Sequence, residues 1–375
     1  MGTHVVVIGA GIVGAAVAEA LALDGVRVTV IDCGTPGGGA TAAGMGHVVV
    51  MDDSEAQIAL TSYSQRLWDE RASELPASGE RMVCGTLWIA ADDEEMQEVH
   101  RKHGFYASRG VKSEVLDAHR LRQAEPMLRD GLVGGLVVPG DSVIYPPPIA
   151  AWMLERVKER GGEVILSRRV ISMCGNQVTF DDGRRIDCDY AVNATGAAAA
   201  SLCPVFDIRP RKGHLVITDR YPGFVRHQLV ELGYLKSAHS STSSSVAFNV
   251  QPRPTGQVLI GSSRQFGETS SEVDFTILGQ MLRRAELYMP AIAGLSTLRV
   301  WTGFRAATPD KLPLIGPHPD DPQLLLATGH EGLGITTSLG TARLVADHVL
   351  GRNPVIPIDP YLPSRLMRTE VSHGH

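Results

Sequence analysis

A glycine-rich turn near the start of the chain restricts the fold more than any other feature of the sequence. A β-branched apolar run, Val5 to Ile8, leads directly into Gly9-Ala10-Gly11-Ile12-Val13-Gly14, and apolar residues at helical spacing continue to Leu23. A second run, Val26 to Ile31, ends at Asp32. This order of strand, glycine turn, helix, strand and acidic residue is typical of the βαβ unit that binds dinucleotides.

Each glycine of the turn meets a different requirement of that unit. Gly9 permits the tight turn, Gly11 lets the backbone approach a pyrophosphate at the helix N-terminus, and Gly14 allows helix and strand to pack closely. Asp32 would accept hydrogen bonds from a ribose hydroxyl. The alternative, glycines that only form a turn, is disfavoured by the intact βαβ context. The pattern alone does not separate FAD from NAD, because both contain an ADP moiety.

Length and charge narrow the class of protein. A chain of 375 residues favours two domains. The net charge of -6 and the dispersed basic residues argue against a nucleic-acid partner. No stretch approaches the ~18 apolar residues of a membrane span, and the N-terminus lacks the pattern of a secretory leader. We therefore expect a cytoplasmic protein, with attachment to the inner face of a membrane left open.

The cysteines predict neither disulfides nor a metal site. Their number is odd, and they show neither C-x-x-C spacing nor a histidine pair at zinc-finger distance. They are Cys33, Cys84, Cys174, Cys188 and Cys203. We expect reduced thiols and no bound metal.

The remaining chain alternates between α/β and antiparallel patterns. A glycine- and alanine-rich stretch, Gly34 to Gly46, predicts a loop pressed against a ligand. The expected helices are Asp53 to about Leu75, Asp92 to His103, one ending before Pro126, Pro148 to Arg160, Phe275 to Tyr288, and one ending at His348. The expected strands are Gly85 to Ala90, Gly134 to Pro139, Val164 to Ser167, Tyr190 to Asn193, His214 to Thr218, Val246 to Val250, Gln257 to Ile260, and Leu324 to Ala327.

Four further segments carry a resemblance to a known family. They are Gly38 to Met45, Val192-Asn193-Ala194-Thr195-Gly196, the stretch from Gly303-Phe304-Arg305 through Thr308-Pro309-Asp310 to Gly316, and Gly329 to Thr336. Together with the first turn they resemble the D-amino-acid oxidase (DAO) family of FAD enzymes over nearly the whole chain. The last segment, with Ile260 to Arg264, is closest to the proline, hydroxyproline and opine dehydrogenase subunits, above all D-hydroxyproline dehydrogenase. Ala306 stands where the family usually has proline, and Asp32 where glutamate is commoner.

The resemblance implies an α/β fold of two interleaved domains. A Rossmann-type FAD-binding domain would comprise residues 1–81, 144–200 and 300–375, around a parallel sheet. A substrate domain with an antiparallel sheet would comprise residues 82–143 and 201–299. The site would lie in the crevice between the two domains.

The resemblance also implies which residues bind FAD. The cofactor would be non-covalent, because no cysteine lies near the Thr308-Pro309-Asp310 segment. The expected cofactor-binding residues are Gly9, Gly11, Ile12, Val13, Gly14, Asp32, Cys33, Gly39, Ala40, Thr41, Ala43, Gly44, Met45, Gly46, Val170, Ala194, Thr195, Gly196, Arg305, Gly332, Leu333, Gly334, Ile335 and Thr336.

Three residues are expected to act on the substrate. By resemblance Arg305 holds the substrate carboxylate, and an arginine fork suits that task because it forms two parallel charge-assisted hydrogen bonds. His330 would add a positive charge or a substrate contact, and Tyr234 would reach the pocket, as would His47. An ordinary salt bridge for Arg305, and structural roles for the other three, are the alternatives.

The family implies oxidation of a small amino acid or imino acid by hydride transfer from Cα–H to flavin N5. D-hydroxyproline or a proline-like acid is the first expectation, with electrons passing to partner subunits that carry further redox cofactors. The alternatives are an oxygen-using oxidase of the glycine, sarcosine or D-amino-acid type, and a non-catalytic FAD-bearing subunit of a complex. An enzyme that uses only NAD is disfavoured by the later flavin-like segments.

Overall fold

The computed structural model describes residues 2–233 and 244–367. Its helices, numbered along the described chain, are α1 (Ile12–Leu23), α2 (Gly39–Ala43), α3 (Glu55–Glu70), α4 (Asp93–Ala107), α5 (Ala118–Ala124), α6 (Pro146–Glu159), α7 (Ala199–Leu202), α8 (Phe275–Tyr288) and α9 (Gly334–Val349). Short 3₁₀ turns lie at Ala77–Gly79, Gly196–Ala198, Pro290–Gly294, Asp359–Tyr361 and Pro363–Leu366.

The described strands are β1 (His4–Ile8), β2 (Arg27–Ile31), β3 (His47–Val48), β4 (Met82–Val83), β5 (Thr86–Ala90), β6 (Glu114–Asp117), β7 (Gly134–Val138), β8 (Ser142–Val143), β9 (Glu163–Ile165), β10 (Val170–Cys174), β11 (Gln177–Phe180), β12 (Arg185–Asp187), β13 (Tyr190–Asn193), β14 (Arg209–Arg220), β15 (Gln228–Glu231), β16 (Ser244–Pro252), β17 (Gln257–Phe266), β18 (Thr297–Ala307), β19 (Leu314–His318) and β20 (Asp321–Thr328).

A six-stranded sheet forms the first layer, in the order β19-β20-β13-β1-β2-β9. All of its neighbouring pairs are parallel except β19 with β20. Strand β1 is buried along its whole length, as expected for an apolar β-branched run at the centre of a parallel sheet. Helices α1, α6 and α9 contribute apolar residues to the core on one face of this sheet. The predicted Rossmann-type α/β layer is confirmed.

An eight-stranded sheet forms the second layer, in the order β18-β14-β17-β16-β15-β5-β7-β6. Its neighbouring pairs are antiparallel except β15 with β5. Helix α8 packs its apolar face on this sheet through Leu278, Met281 and Ala285. Its N-terminus is capped by Asp274, whose carboxylate accepts from the amides of Thr276 and Ile277. The predicted fold class, with an antiparallel sheet interleaved in the chain, is also confirmed.

The differences from the sequence-based expectations include an additional sheet, an earlier helix end and a helix within a predicted loop. A three-stranded sheet, β10-β11-β12, occupies the stretch between β9 and β13, where no strand was predicted. Helix α3 ends at Glu70 rather than near Leu75, because the chain then turns and the Arg71 guanidinium bonds both carboxylate oxygens of Glu19. Within the predicted loop Gly34 to Gly46, five residues form α2.

The domain boundaries predicted from the sequence stay a prediction. Strand β18 begins at Thr297 and belongs to the antiparallel sheet, although the expected boundary at residue 300 assigns most of it to the cofactor domain. The difference matters for function, because β18 carries Arg305.

Candidate active site

One large cavity of about 800 Å³ is lined by residues from both sheets. That volume falls within the range of small-molecule and cofactor sites. Every residue predicted to bind the cofactor lines this cavity except Gly14 and Thr336. Residues from distant parts of the sequence therefore meet at one site.

The glycine turn after β1 forms one end of the cavity. Gly9 has a φ of 114°, and a Cβ at this position would lie 2.4 Å from the carbonyl oxygen of Ala194. A Cβ at Gly14 would lie 1.9 Å from the carbonyl oxygen of Gly9, so this glycine serves the packing of α1 on the turn rather than the cavity wall. The N-cap of α1 is Gly11, which has no capping side chain. The helix N-terminus therefore offers backbone amides to an anion.

Two side chains stabilise the glycine-turn end of the cavity by hydrogen bonds to backbone amides. Asp32 accepts hydrogen bonds from the amides of Ala10 and Gly34, each at 2.6 Å and each at a different carboxylate oxygen. Because every carboxylate oxygen has two lone pairs, Asp32 can still accept from a ribose hydroxyl. The hydroxyl of Thr41 accepts from the Ile12 amide at 3.0 Å and so ties α2 to the start of α1.

The loop around α2 lies closely against the antiparallel sheet. A Cβ at Gly303 would lie 2.4 Å from the Cβ of Ala43, and the Trp301 indole donates to the Ala43 carbonyl at 3.3 Å. The Gln251 amide donates to the Met45 carbonyl at 2.6 Å. These contacts place Ala43 and Met45, which line the cavity, directly beside β18 and β16.

The segment after β13 and the N-terminus of α9 complete the cofactor side. Ala194, Thr195 and Gly196 line the cavity, and so do Val170 and the exposed Cys33. Gly332, Leu333, Gly334 and Ile335 line it at the start of α9. Thr336 lies behind them, where its hydroxyl donates to the His47 carbonyl at 2.9 Å. Its role in the structure is to hold the His47 strand in place.

Arg305 lies in the same cavity on β18. Its Nη1 donates to the Ser263 carbonyl at 3.0 Å, which fixes one arm of the guanidinium. A Cβ at Gly213 would lie 2.4 Å from Nη1, so the guanidinium extends across this glycine. Burial lowers the pKa of Arg305, and the nearby Glu331 carboxylate opposes that effect. The described contacts give Arg305 no carboxylate at salt-bridge distance, which argues against the ordinary salt bridge considered from the sequence.

The histidines at the site are neutral. Burial lowers the pKa of His330 to about 3, and its Nε2 lies 3.0 Å from the hydroxyl of Thr341 in α9. The expected positive charge at His330 is therefore not available near neutral pH, although the residue does line the cavity. Burial lowers the pKa of His47 to about 4, and this residue lines the cavity as well. Tyr234 lies outside the described residues.

Sequence reasoning missed several charged residues of the cavity, three of which interact electrostatically with Arg305. Arg211 on β14, Arg264 on β17 and Glu331 before α9 all line the cavity. Arg211 donates to Glu331 at 2.6 Å, with both side chains largely buried. Arg264 and Glu331 stand in the segments that carry the family resemblance, but only the pairing of β14 with its neighbours brings them together with Arg305.

The residues present fit FAD. The glycine turn, Asp32 and the α1 N-terminus suit its ADP moiety, and the cavity extends from them to residues of α2 and β18. Farther along the antiparallel sheet, Gln228 and Asn249 line the cavity with side-chain oxygens that are buried and lack a partner within the described part of the chain. Polar atoms of this kind are available to a bound molecule.

A family model described as FAD dependent oxidoreductase (DAO) matches residues 4–348. The chain belongs to the DAO family. It is therefore an FAD-dependent oxidoreductase, as the sequence predicted.

Relatives of this DAO-family protein align along most of its length. It is 26% identical to a glycine oxidase from Geobacillus kaustophilus over 96% of both chains. It is 29% identical to a D-amino acid dehydrogenase from Xanthobacter autotrophicus, over 80% of this chain and 71% of the relative. The crystal structure of glycine oxidase from Geobacillus kaustophilus superposes with a TM-score of 0.86 at 25% identity, covering 98% of this chain and 99% of the other.

None of the helices in residues 2–233 and 244–367 is both long and apolar enough to cross a lipid bilayer. The same residues contain no group of three or more histidine, cysteine or acidic side chains arranged to hold a metal ion.

Proposed function

We propose that this DAO-family enzyme oxidises a small amino acid or cyclic imino acid at its Cα–N bond. The observation that carries the proposal is the position of Arg305, whose guanidinium lies in the same cavity as the glycine turn and the α9 N-terminus. A carboxylate held by that guanidinium would place the adjacent Cα beside the central part of the cavity.

The reaction requires orientation more than acid–base chemistry. When bound, FAD supplies a two-electron acceptor at N5 of its ring system. The substrate loses Cα–H as a hydride and one N–H proton to solvent, which leaves an imine that water hydrolyses. Arg305 contributes by fixing which hydrogen faces the ring, because two parallel N–H···O bonds leave the carboxylate little freedom.

The neutral histidines support this assignment. His330 and His47 carry no charge near neutral pH, so Arg305 is not in competition with an imidazolium for the carboxylate. The amides and helix N-terminus around Gly332 to Ile335 favour negative charge on a neighbouring group. The residues of this chain thus supply orientation and electrostatics rather than a general base.

The finer substrate proposal is a proline-like acid, with D-hydroxyproline as the first candidate. It rests on the motifs Gly329 to Thr336 and Ile260 to Arg264, and partner subunits would then receive the electrons. A second candidate is an amino-acid oxidase that passes electrons to oxygen, favoured by the similarity to glycine oxidase over nearly the full length of both chains. Rapid reoxidation of the reduced flavin by air would select the oxidase.

Replacement of the arginine tests the proposal. We expect R305Q to retain its flavin and to lose about 100-fold or more in kcat/KM, since a charge-assisted anchor is removed from the transition state. The measurement is anaerobic bleaching of the flavin by proline derivatives, sarcosine and D-amino acids, with wild type and R305Q compared.

A matched control is R299Q, which removes an exposed arginine from the same strand outside the cavity. This control should react like wild type. Bleaching of R305Q at the wild-type rate, or no bleaching of the wild type by any of these compounds, would contradict the proposed function.

A further inference from the structure

The cavity continues from Arg305 across the antiparallel sheet to a group of uncharged side chains. Val230 on β15 is directly opposite Trp88 on β5 and, on its other side, opposite Asn249 on β16. Residues directly opposite each other point to the same face of a sheet, and so do residues two apart along a strand, which adds Gln228 to the group. All four residues line the cavity, and we call them the neutral patch.

Three polar atoms of the neutral patch are buried without a hydrogen-bond partner. They are Nε1 of Trp88, Oε1 of Gln228 and Oδ1 of Asn249, and none of them has a partner within residues 2–233 and 244–367. The side chains themselves are almost fully buried, with 3%, 1% and 8% of the three residues exposed. Because unpaired buried polar atoms are costly, a bound group that pairs with them gains affinity.

The amide of Gln228 has a fixed orientation. Its Nε2 donates to the Ser142 carbonyl at 3.2 Å. Turning the amide over would bring Oε1 against that carbonyl oxygen, so that two acceptors would face each other. Gln228 therefore offers an acceptor at the cavity wall and not a donor.

The neutral patch lies one small molecule away from Arg305. Asn249 is directly opposite Gly261 on β17, and Gly261 is two residues from Ser263, whose carbonyl accepts from the Arg305 guanidinium. At ~3.3 Å per residue and ~4.8 Å between strands, the Cα atoms of Asn249 and Ser263 are about 8 Å apart. Their side chains and the guanidinium cover part of this distance, so the remaining space suits a substrate of the size of a small amino acid.

Apolar side chains line the cavity between the two polar groups. A Cβ at Gly261 would lie 2.7 Å from Cδ2 of Leu215 and 3.2 Å from Sδ of Met45. Leu215 and Met45 both line the cavity, as does Val230 at the centre of the neutral patch. A substrate that extends from Arg305 to the neutral patch therefore places its carbon skeleton against apolar surface.

A buried lysine behind the patch does not call for an anionic ligand. Lys102 Nζ lies 4.3 Å from the centre of the Trp88 ring, and it does not line the cavity. It forms an ion pair with the buried carboxylate of Asp52. The charge of Lys102 is thus already balanced, and the ligand of the neutral patch has only the hydrogen-bonding atoms to satisfy.

The mixture of acceptors and a donor decides which substituent fits. A carboxylate has only acceptors, so it would leave the oxygens of Gln228 and Asn249 unpaired and would be repelled by them. An ammonium group has only donors, so it would leave the indole N–H of Trp88 unpaired. A hydroxyl or a primary amide both donates and accepts, and either can pair with both kinds of atom.

Resting on the proposed function, we infer that the neutral patch binds a substituent on the side chain or ring of the substrate, and that this substituent is a hydroxyl or a primary amide. The substrate class is thus an amino or imino acid with one carboxylate, held by Arg305, and one neutral polar substituent. Gln228, Asn249 and Trp88 determine this specificity.

Two matched pairs of compounds test the inference and separate the two substituents. Hydroxyproline differs from proline only by a ring hydroxyl, and asparagine is nearly isosteric with aspartate but carries an amide in place of the carboxylate. Both enantiomers of each compound are used. The experiment measures the second-order rate constant of anaerobic flavin reduction in the flavin-loaded wild type, in Q228M, in N249L and in Q257M.

The variant Q257M is the matched control, because Gln257 is a half-buried glutamine of the same sheet that does not line the cavity. Flavin content and the circular dichroism spectrum establish that each variant is folded. The second variant, N249L, keeps the test decisive if Q228M fails to fold.

We expect wild type and Q257M to prefer hydroxyproline over proline, or asparagine over aspartate, by about tenfold to 100-fold, because a site with buried hydrogen-bonding groups rejects the analogue that cannot pair with them. The preferred pair identifies the substituent. In Q228M and N249L the preference should fall to within a few-fold of unity.

Two results would overturn the inference while leaving the proposed function intact. One is flavin reduction by these compounds with no preference within either pair. The other is an equal loss in Q228M toward both members of the preferred pair, because Gln228 would then act on the flavin or on the whole substrate rather than on the substituent.

A binding measurement separates failure of the inference from failure of the proposed function. If no compound reduces the flavin, the proposed function fails, but cyclopentanecarboxylate and its ring-hydroxylated derivative still form a non-reactive matched pair. Calorimetric titration should then show tighter binding of the hydroxylated acid to wild type, with the difference lost in Q228M. Equal affinities in wild type, or no binding of either acid, would overturn the inference.

Discussion

The two ends of the cavity recognise their ligands in different ways. At the glycine end, the groups that would bind the cofactor are backbone amides, glycines without side chains and the Asp32 carboxylate, all within about thirty residues from β1 to Asp32. At the arginine end the corresponding groups are charged side chains on β14, β17 and β18, which are brought together only by strand pairing. One end of the cavity is therefore set by local sequence, and the other by the register in which distant strands pair.

The largest effect should follow a change at the glycine end. Because a Cβ at residue 14 would lie 1.9 Å from the Gly9 carbonyl oxygen, G14A must displace α1 from the turn. We expect a loss of about 2–3 kcal/mol in the free energy of unfolding and loss of bound flavin. Flavin absorbance relative to protein absorbance, together with thermal unfolding, provides the measurement.

The control for this variant is G104A in α4, where a new Cβ meets nothing within 4 Å. That change should be neutral or stabilise the protein by about 0.5–1 kcal/mol, as is usual for glycine to alanine inside a helix. A G14A protein with full flavin content would show that the turn tolerates a side chain and that the packing argument is wrong.

A smaller effect should follow a glycine substitution at the arginine end. In G213A the new Cβ would lie 2.4 Å from Nη1 of Arg305, and the flexible arginine would move rather than the backbone. We expect a loss of about tenfold to 100-fold in kcat/KM, because a displacement of about 1 Å of a positioning group has that cost. Flavin content should be unchanged, which is the opposite of the pattern expected for G14A.

The matched control is G279A on α8, where the new Cβ would lie 3.5 Å from the Arg283 guanidinium, an ordinary contact outside the cavity. Its kinetics should equal those of wild type. If G213A also retained full kcat/KM, the position of the Arg305 guanidinium would not matter for turnover.

Much of the fold and the cofactor side of the site could be predicted from the sequence, because both depend on local sequence signals. Helix α1 begins at Ile12 and ends at Leu23 as predicted, since the glycine turn and the helical apolar spacing are both local signals. The cofactor-side residues follow from glycines whose spacing itself carries the geometry. Arg305 was expected only because its neighbours resemble a known motif.

The other features of the site and fold depend mainly on strand pairing and burial, which no local sequence pattern specifies. Arg211 precedes the predicted strand His214 to Thr218, and its partners Arg305 and Phe266 follow from register alone. The lowered pKa of His330 could not be predicted either, because it results from the burial of the imidazole beside α9 and not from the local sequence. The β10-β11-β12 sheet was missed since its strands are short and partly exposed.

The central claim is that the two ends share one cavity, so that a carboxylate at Arg305 lies against the flavin held by the glycine end. Titration of the flavin-loaded wild type with a non-reactive monocarboxylate, followed by the visible absorption spectrum of the flavin, tests this most directly. We predict a saturable spectral shift in wild type that is lost in R305Q while the flavin remains bound. An unperturbed spectrum in wild type, or the same shift in R305Q, would contradict the claim.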